Sequence, residues 1–441
     1  MRDSKPNEDF PHPVDVTVIG GGLAGLAASI HLVRAGLRVL CLEARDEDEK
    51  PVGESLDWSA PQLLAELGLP MEMLVREGFG TWKKHVTLKA AGEAVAHYTP
   101  GEWLGQPPFN VELRTLHVDR ARLNAAVREI AVSEDVALVH DRVTQIVTDS
   151  RRVVAVETAS GRRLESKWFL DASGGAARLF PRAFNLPYRD YGPPKVAIWT
   201  YISEPKPLEG TTLHAASNCA PYTEWIWEIP IHAQKLSIGF VTRGESIKAR
   251  RTAGYSVESI LRAQLNRFPR FQRVTESDGQ LSVSVTSFRC RVHGHLFGPN
   301  WLVIGEAAAM VDPMTSNGVT SVLRHAREAA ALVSRYRRRA QLPWMAAAMY
   351  SRRVQDLARF FNCGIEKIIY DKPVRSRIGF RLAGEVYTIP AWSLNNIYAR
   401  VRQQGIVSSL GFCAVFGVFR AAASLLHALC SLGTTSCETV A

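Results

Sequence analysis

Val14-Asp15-Val16-Thr17-Val18-Ile19-Gly20-Gly21-Gly22-Leu23-Ala24-Gly25-Leu26-Ala27-Ala28 decides the fold. A β-branched apolar run stops at glycines and restarts as an Ala/Leu-rich helix. Gly20, Gly22 and Gly25 fit the spacing G-x-G-x-x-G. The first glycine permits the tight turn, the second admits a pyrophosphate, and the third lets helix and strand pack closely. The helix N-terminus then offers unpaired N–H groups and the positive end of its dipole to the phosphates. Arg38-Val39-Leu40-Cys41-Leu42-Glu43 reads as a second buried strand ending in an acid. Glu43 falls roughly 20 residues beyond the glycines, where a carboxylate accepts a ribose hydroxyl pair, and Ala44 follows it at the mouth of the same site.

The chain has 441 residues, which suggests more than one folding unit. A hydrophobic content of 46% fits a globular protein. The net charge of +10 gathers late, in Arg335-Tyr336-Arg337-Arg338-Arg339 and Arg352-Arg353. Such a cluster is a solvated face or a docking surface for an acidic partner. No aromatic-interleaved basic module points to nucleic acid. The seven cysteines are scattered and lack C-x-x-C spacing, which fits a reducing, cytoplasmic compartment. Residues 1–13 are polar, without the apolar core of a signal peptide.

The pattern predicts an α/β protein: a Rossmann-like dinucleotide-binding domain over 14–75, 115–185 and 286–340, and a β-rich substrate domain over 76–114 and 186–285. A helical C-terminal region with an apolar tail fills 341–441. Helices are expected over 60–69, after Asp119 as N-cap, near 256–268, over 317–336 and throughout 344–371. Alternation predicts strands over 82–95, 137–140, 143–147, 153–158, 168–171, 197–202, 224–230 and 235–241. Trp301-Leu302-Val303-Ile304 is a buried strand that breaks at Gly305-Glu306. The tail from Ile406 to Leu432 is apolar apart from Arg420. It has three readings: a buried or dimer-forming helix, an interfacial membrane helix giving weak membrane association, or a span, for which neither half alone suffices.

Three separated signals converge: the glycine turn, Gly305-Glu306 followed by Asp312-Pro313 and Gly318, and Trp225-Ile226-Trp227-Glu228-Ile229-Pro230. Together they resemble the flavin-dependent halogenase-like branch of the p-hydroxybenzoate-hydroxylase-type FAD monooxygenases, whose W-x-W-x-I-P fingerprint is matched in full. Pro51-Val52-Gly53-Glu54-Ser55 resembles the family's P-x-V-G-E-S element with one residue missing. The resemblance implies FAD as cofactor, held by Gly20, Gly22, Gly25, Glu43, Ala44, Ser55, Arg120, Gly305, Glu306, Pro313, Asn317 and Gly318. Glu306 stands where the family has aspartate, and Arg120 where an arginine meets the FAD phosphate or flavin edge. Asp171-Ala172-Ser173-Gly174 resembles the turn near the adenosine.

The same resemblance implies two chemistries from a flavin C4a-hydroperoxide formed with dioxygen. A hydroxylase lets an electron-rich ring attack the distal oxygen. A halogenase passes hypohalous acid to a lysine, for which Lys83 and Lys84 are the candidates. Glu54, Ser55, Trp225 and Trp227 complete the expected catalytic set. The halide loop of tryptophan halogenases reads S-T-G, and here Ser316-Asn317-Gly318. That phrase, with Val386–Trp392 and Asn396–Arg400, looks closer to flavoproteins that hydroxylate a protein tryptophan during quinone cofactor biogenesis. The expectation is therefore hydroxylation of an indole-like aromatic, free or within a protein or peptide, with halogenation as the alternative. A non-catalytic flavin scaffold and a prenyl-lipid reductase stand behind these. NAD(P)H or a separate flavin reductase would supply electrons. His117, His293, His295 and His325 read as structural, and their spacing suggests no metal.

Overall fold

The computed structural model describes residues 14–45, 52–90, 93–99, 102, 105–107, 110, 113–203, 208–216, 222–232, 234–275, 279–370 and 406–431. The motifs Val386–Trp392 and Asn396–Arg400, Pro51 and residues 1–13 lie outside them. The opening run forms the strand Val16–Ile19, buried throughout, and the glycines deliver it into the helix Leu23–Arg34. Five parallel strands follow the order Trp301–Val303, Trp168–Asp171, Val16–Ile19, Val39–Glu43, Ala137–His140. The first strand in sequence is thus central, and its carboxyl end opens at a switch in strand order, where open α/β sheets bind ligands. Asp119 caps the helix Arg120–Ser133 by accepting from Ala121 N and Arg122 N.

A second sheet has seven strands, in the order Ser284–His293, Tyr188–Ser203, Lys235–Arg243, Glu224–His232, Gly210–Ala216, His85–Ala90, Glu93–Tyr98. Period two divides the Glu224–His232 side chains. Trp225, Trp227 and Ile229 join the main core, shared with the parallel sheet, while Ile226 joins a separate core with Phe240, Leu261 and Phe271. A strand buried on both faces carries apolar residues at successive positions, which explains Trp225-Ile226-Trp227, while the buried Glu228 pairs with His214 and Arg270, each at 2.6 Å.

Three expectations change in detail. The run 82–95 is three strands, and the first, Gly80–Lys83, leaves the large sheet to pair with Thr115–Val118. The insertion holds a second helix, Gly244–Thr252, in which only Ile247 is buried. So weak an apolar stripe gives the sequence little periodicity to read. The helix expected over 344–371 is α-helical from Trp344 to Gly364 and then widens into a π-helical turn, Ile365–Tyr370. Such turns recur at functional sites.

Candidate active site

The glycine turn is built by close approach. Gly20 has φ +111°. A Cβ on it would overlap the Ala172 carbonyl, and one on Gly25 would overlap the Gly20 carbonyl. Gly22 caps its helix without a side chain, so the first-turn amides lack a capping partner. At the end of the second strand, Glu43 Oε1 accepts from Ala44 N at 2.8 Å and Arg45 N at 2.9 Å, folding the acid over Gly21. Asp171 accepts from Ser173 N and Phe180 N and fixes the neighbouring turn.

Arg120 reaches across this cleft. Its Nη1 donates to the Val52 and Gly53 carbonyls, each at 3.1 Å, and its buried Nε has no partner among the described residues. Surrounding protein desolvates the Glu306 carboxyl and pushes its pKa up, while Arg120 and Arg45 oppose the shift. Beyond Gly305, Asp312 accepts from Met314 N and caps the turn Pro313–Thr315. Ser316 is left-handed at φ +57°, and Asn317 starts the helix Gly318–Tyr336 without a side-chain cap. A Cβ on Gly318 would meet nothing within 4 Å. Two uncapped helix starts, the open Gly318 and an orphaned guanidinium N–H fit an anionic dinucleotide. Arg120→Ala is expected to weaken FAD retention roughly tenfold to a hundredfold, the range for a charge-assisted bond. Equilibrium dialysis with fluorescence of released flavin reads this.

The polar joint lies on the far side of residue 316. Segment 54–56 runs beside Leu116–Val118, with Leu56 N donating to Leu116 O and Val118 N to Glu54 O. This aims Ser55 inward. Its Oγ meets Lys83 Nζ at 2.9 Å, Thr211 Oγ1 at 2.8 Å and Ser316 Oγ at 3.2 Å. Lys83 is 4% exposed, donates also to Leu56 O at 2.8 Å, and stands 5.5 Å from the Trp58 ring centre. Burial lowers its pKa from 10.5 to about 7, against the pull of Asp57. His117 Nε2 meets Thr211 Oγ1 at 2.9 Å, and burial keeps the ring neutral. Buried Glu54 accepts from Tyr201 OH and Ser237 Oγ, and its pKa is raised by burial.

A neutral Lys83 in the fold binds less proton than a lysine in the unfolded chain. Stability contributed by this site therefore rises with pH between about 7 and 10.5. The difference in urea midpoint between the wild type and Lys83→Met is expected to shift toward the wild type across that window. A difference constant with pH would contradict the lowered pKa.

The other expected residues sit elsewhere. Lys84 is exposed and pairs with Glu209 at 2.7 Å, because neighbouring strand residues face opposite sides. Lys83 faces inward and Lys84 outward, so of the two candidates only Lys83 reaches Ser55. Trp225 and Trp227 are buried with their N–H groups spent, on Tyr370 OH at 2.8 Å and Ser237 Oγ at 3.0 Å. They brace the site rather than line an open chamber. Among the described residues no group of His, Cys, Asp and Glu could hold a metal.

A second polar cluster was not legible in the sequence. Lys195 Nζ, almost fully buried, lies 2.8 Å from Glu366 and 3.6 Å from Asp312. Against the opposing burial, the neighbouring Cys290, Asp312, Tyr222 and Glu366 raise its pKa. Tyr370 OH donates to Asp312 Oδ1 at 3.3 Å, and Asn362 accepts from Asp312 N at 2.9 Å. The C-terminal turn thus grips the loop that carries Ser316. Gly192 makes room, since a Cβ there would overlap the Glu366 carboxyl. The one signal was Gly192-Pro193-Pro194, which interrupts the strand as a bulge does.

The sequence matches the family model described as Tryptophan halogenase over residues 107–359, and that of Lycopene cyclase protein over 15–191. It is 28% identical over 347 residues to Tryptophan 2-halogenase of Chondromyces crocatus, covering 74% of this chain and 62% of that protein. It is 28% identical over 354 residues to the Flavin-dependent halogenase armH5 of Armillaria mellea, covering 74% of this chain and 66% of that one. The chain thus spans less than two thirds of each of these two relatives. The fold superposes on flavin-dependent brominase Bmp2 with a TM-score of 0.69 at 21% identity, covering 93% of this chain and 98% of that one.

Proposed function

Because the chain belongs to the tryptophan halogenase family, we propose that it uses reduced FAD to halogenate an electron-rich aromatic, indole-like substrate. The observation that carries this reading is the chain Ser316 Oγ, Ser55 Oγ, Lys83 Nζ, with links of 3.2 and 2.9 Å. It joins the loop beside the flavin cleft to a buried amine. Electrons come from NAD(P)H, directly or through a separate reductase, and reduced FAD, when bound, would supply with dioxygen the two-electron oxidant that converts halide to hypohalous acid, the dioxygen being reduced.

The chain's own residues do the rest. The glycine turn, Arg120 and Glu306 hold the dinucleotide. Ser55 and Ser316 order the passage from the cleft, and the closed surroundings of Lys83 exclude water. With its pKa near 7, Lys83 exists in both forms at neutral pH. The ammonium hydrogen-bonds the oxygen of hypohalous acid and protonates it as the ring attacks the halogen. The hydroxyl leaves as water, and the ring proton restores the balance.

A second reading, hydroxylation of the same kind of ring, has one observation in its favour. Asn317 Nδ2 donates to Thr315 O, which leaves the buried Asn317 Oδ1 at the helix start without a donor among the described residues. A carbonyl dipole there opposes a halide. Incubation with reduced FAD, dioxygen, bromide or chloride and candidate indoles, read by mass, separates the two. Halogen incorporation supports the proposal. A gain of oxygen with no halogen at any halide concentration assigns the chain to hydroxylation.

A further inference from the structure

The helix Ile406–Ser431 presents an exposed apolar face. Ile406, Val407, Leu410, Val418 and Leu425 are between 61% and 79% exposed. With exposed Ala414 and Ala421, the positions 407, 410, 414, 418, 421 and 425 recur at helical spacing on one side. From Val407 to Leu425 the stripe runs about 27 Å at the rise of an α-helix. Phe412, on another side, is 2% exposed and packs with Val415 against the main core. The helix is therefore fastened to the protein by one face and shows aliphatic side chains on another. Contiguous exposed apolar surface of this kind marks an interaction site.

Charge selects the occupant. From Val386 to Cys437 the sequence holds no Asp or Glu, and its only lysines or arginines are Arg400, Arg402 and Arg420. The whole chain carries +10. Two copies of a chain carrying +10 repel each other, whereas an anionic bilayer attracts them. Among the described residues no helix is long and apolar enough to cross a membrane. We infer that the exposed face of Ile406–Ser431 is a docking surface for an anionic lipid bilayer, the helix lying in the interface plane between protein and lipid.

The test uses the full-length, FAD-loaded chain and extruded vesicles. One set is phosphatidylcholine, the other phosphatidylcholine with one quarter phosphatidylglycerol. The protein is expected to sediment with the anionic vesicles and to bind neutral ones at least tenfold more weakly. The variant carrying Val407→Ser, Leu410→Ser, Val418→Ser and Leu425→Ser is expected to stay in the supernatant with FAD retained. Should that variant misfold, hydrogen exchange of residues 406–425 in the wild type is expected to slow when anionic vesicles are added. The inference is overturned if the wild type stays in the supernatant, if it binds both vesicle types equally, or if that exchange is unchanged. It is equally overturned if light scattering without lipid shows a dimer that the quadruple variant splits.

Discussion

Lys83→Met is expected to lower product formation by about 10²–10⁴-fold, the usual worth of a positioned acid, while reduced FAD continues to be oxidised by dioxygen. Methionine keeps most of the volume and removes only the nitrogen. The 2.9 and 2.8 Å contacts to Ser55 Oγ and Leu56 O disappear with it, and nothing remains to protonate the departing oxygen. Because the residue is already desolvated, its loss is not expected to cost FAD binding, and at pH 7, the low end of the window in which its stability contribution rises, it is not expected to cost folding. Peroxide release should rise as product falls, which a peroxide assay beside the product assay measures. Lys84→Met is the control. Its ammonium sits at the surface with Glu209, so turnover should be unchanged. Equal losses from the two variants would remove Lys83 from the mechanism.

Lys195→Met is expected to cost about 3–5 kcal/mol of folding stability, the range for removing one partner of a buried ion pair. Asp312 and Glu366 would be left facing each other across an apolar gap, with Cys290 and Tyr370 beside them. Adding Glu366→Gln should recover part of the loss by removing one of those charges. Urea denaturation of the two variants and the wild type measures both effects. The Ser316 loop should loosen as well, because Asp312 caps its first turn. Unchanged stability in Lys195→Met would mean that the cluster does not grip the loop.

The parts of this site that were legible in the sequence are local. Gly20, Gly22 and Gly25 share one turn, Glu43 ends the next strand, and Asp119 lies within three residues of the amides it caps. Each needs only its neighbours to be recognised. The joint at Ser55 was legible only as a motif, since its partners Lys83, Thr211 and Ser316 are 28, 156 and 261 residues away. Choosing Lys83 over Lys84 required strand register, and a slip of one residue exchanges inside for outside. Hydroxylation was expected from motifs around Ser316-Asn317-Gly318. The buried amine and the halogenating relatives now favour the alternative. Lys195 and Glu366 meet through a bulge in a strand and a turn 171 residues later, a pairing that no period in either segment announces.

All of this requires one dinucleotide to lie along the carboxyl end of the parallel sheet with its ring beside residues 313–318. The most direct measurement is a titration of the purified chain with FAD, followed by desalting and an absorption spectrum. One FAD per chain is expected, together with its loss when Gly22, whose missing Cβ leaves the cradle open, is replaced by valine. A chain that stays colourless in excess FAD, or a Gly22→Val variant that binds as the wild type does, would contradict the account.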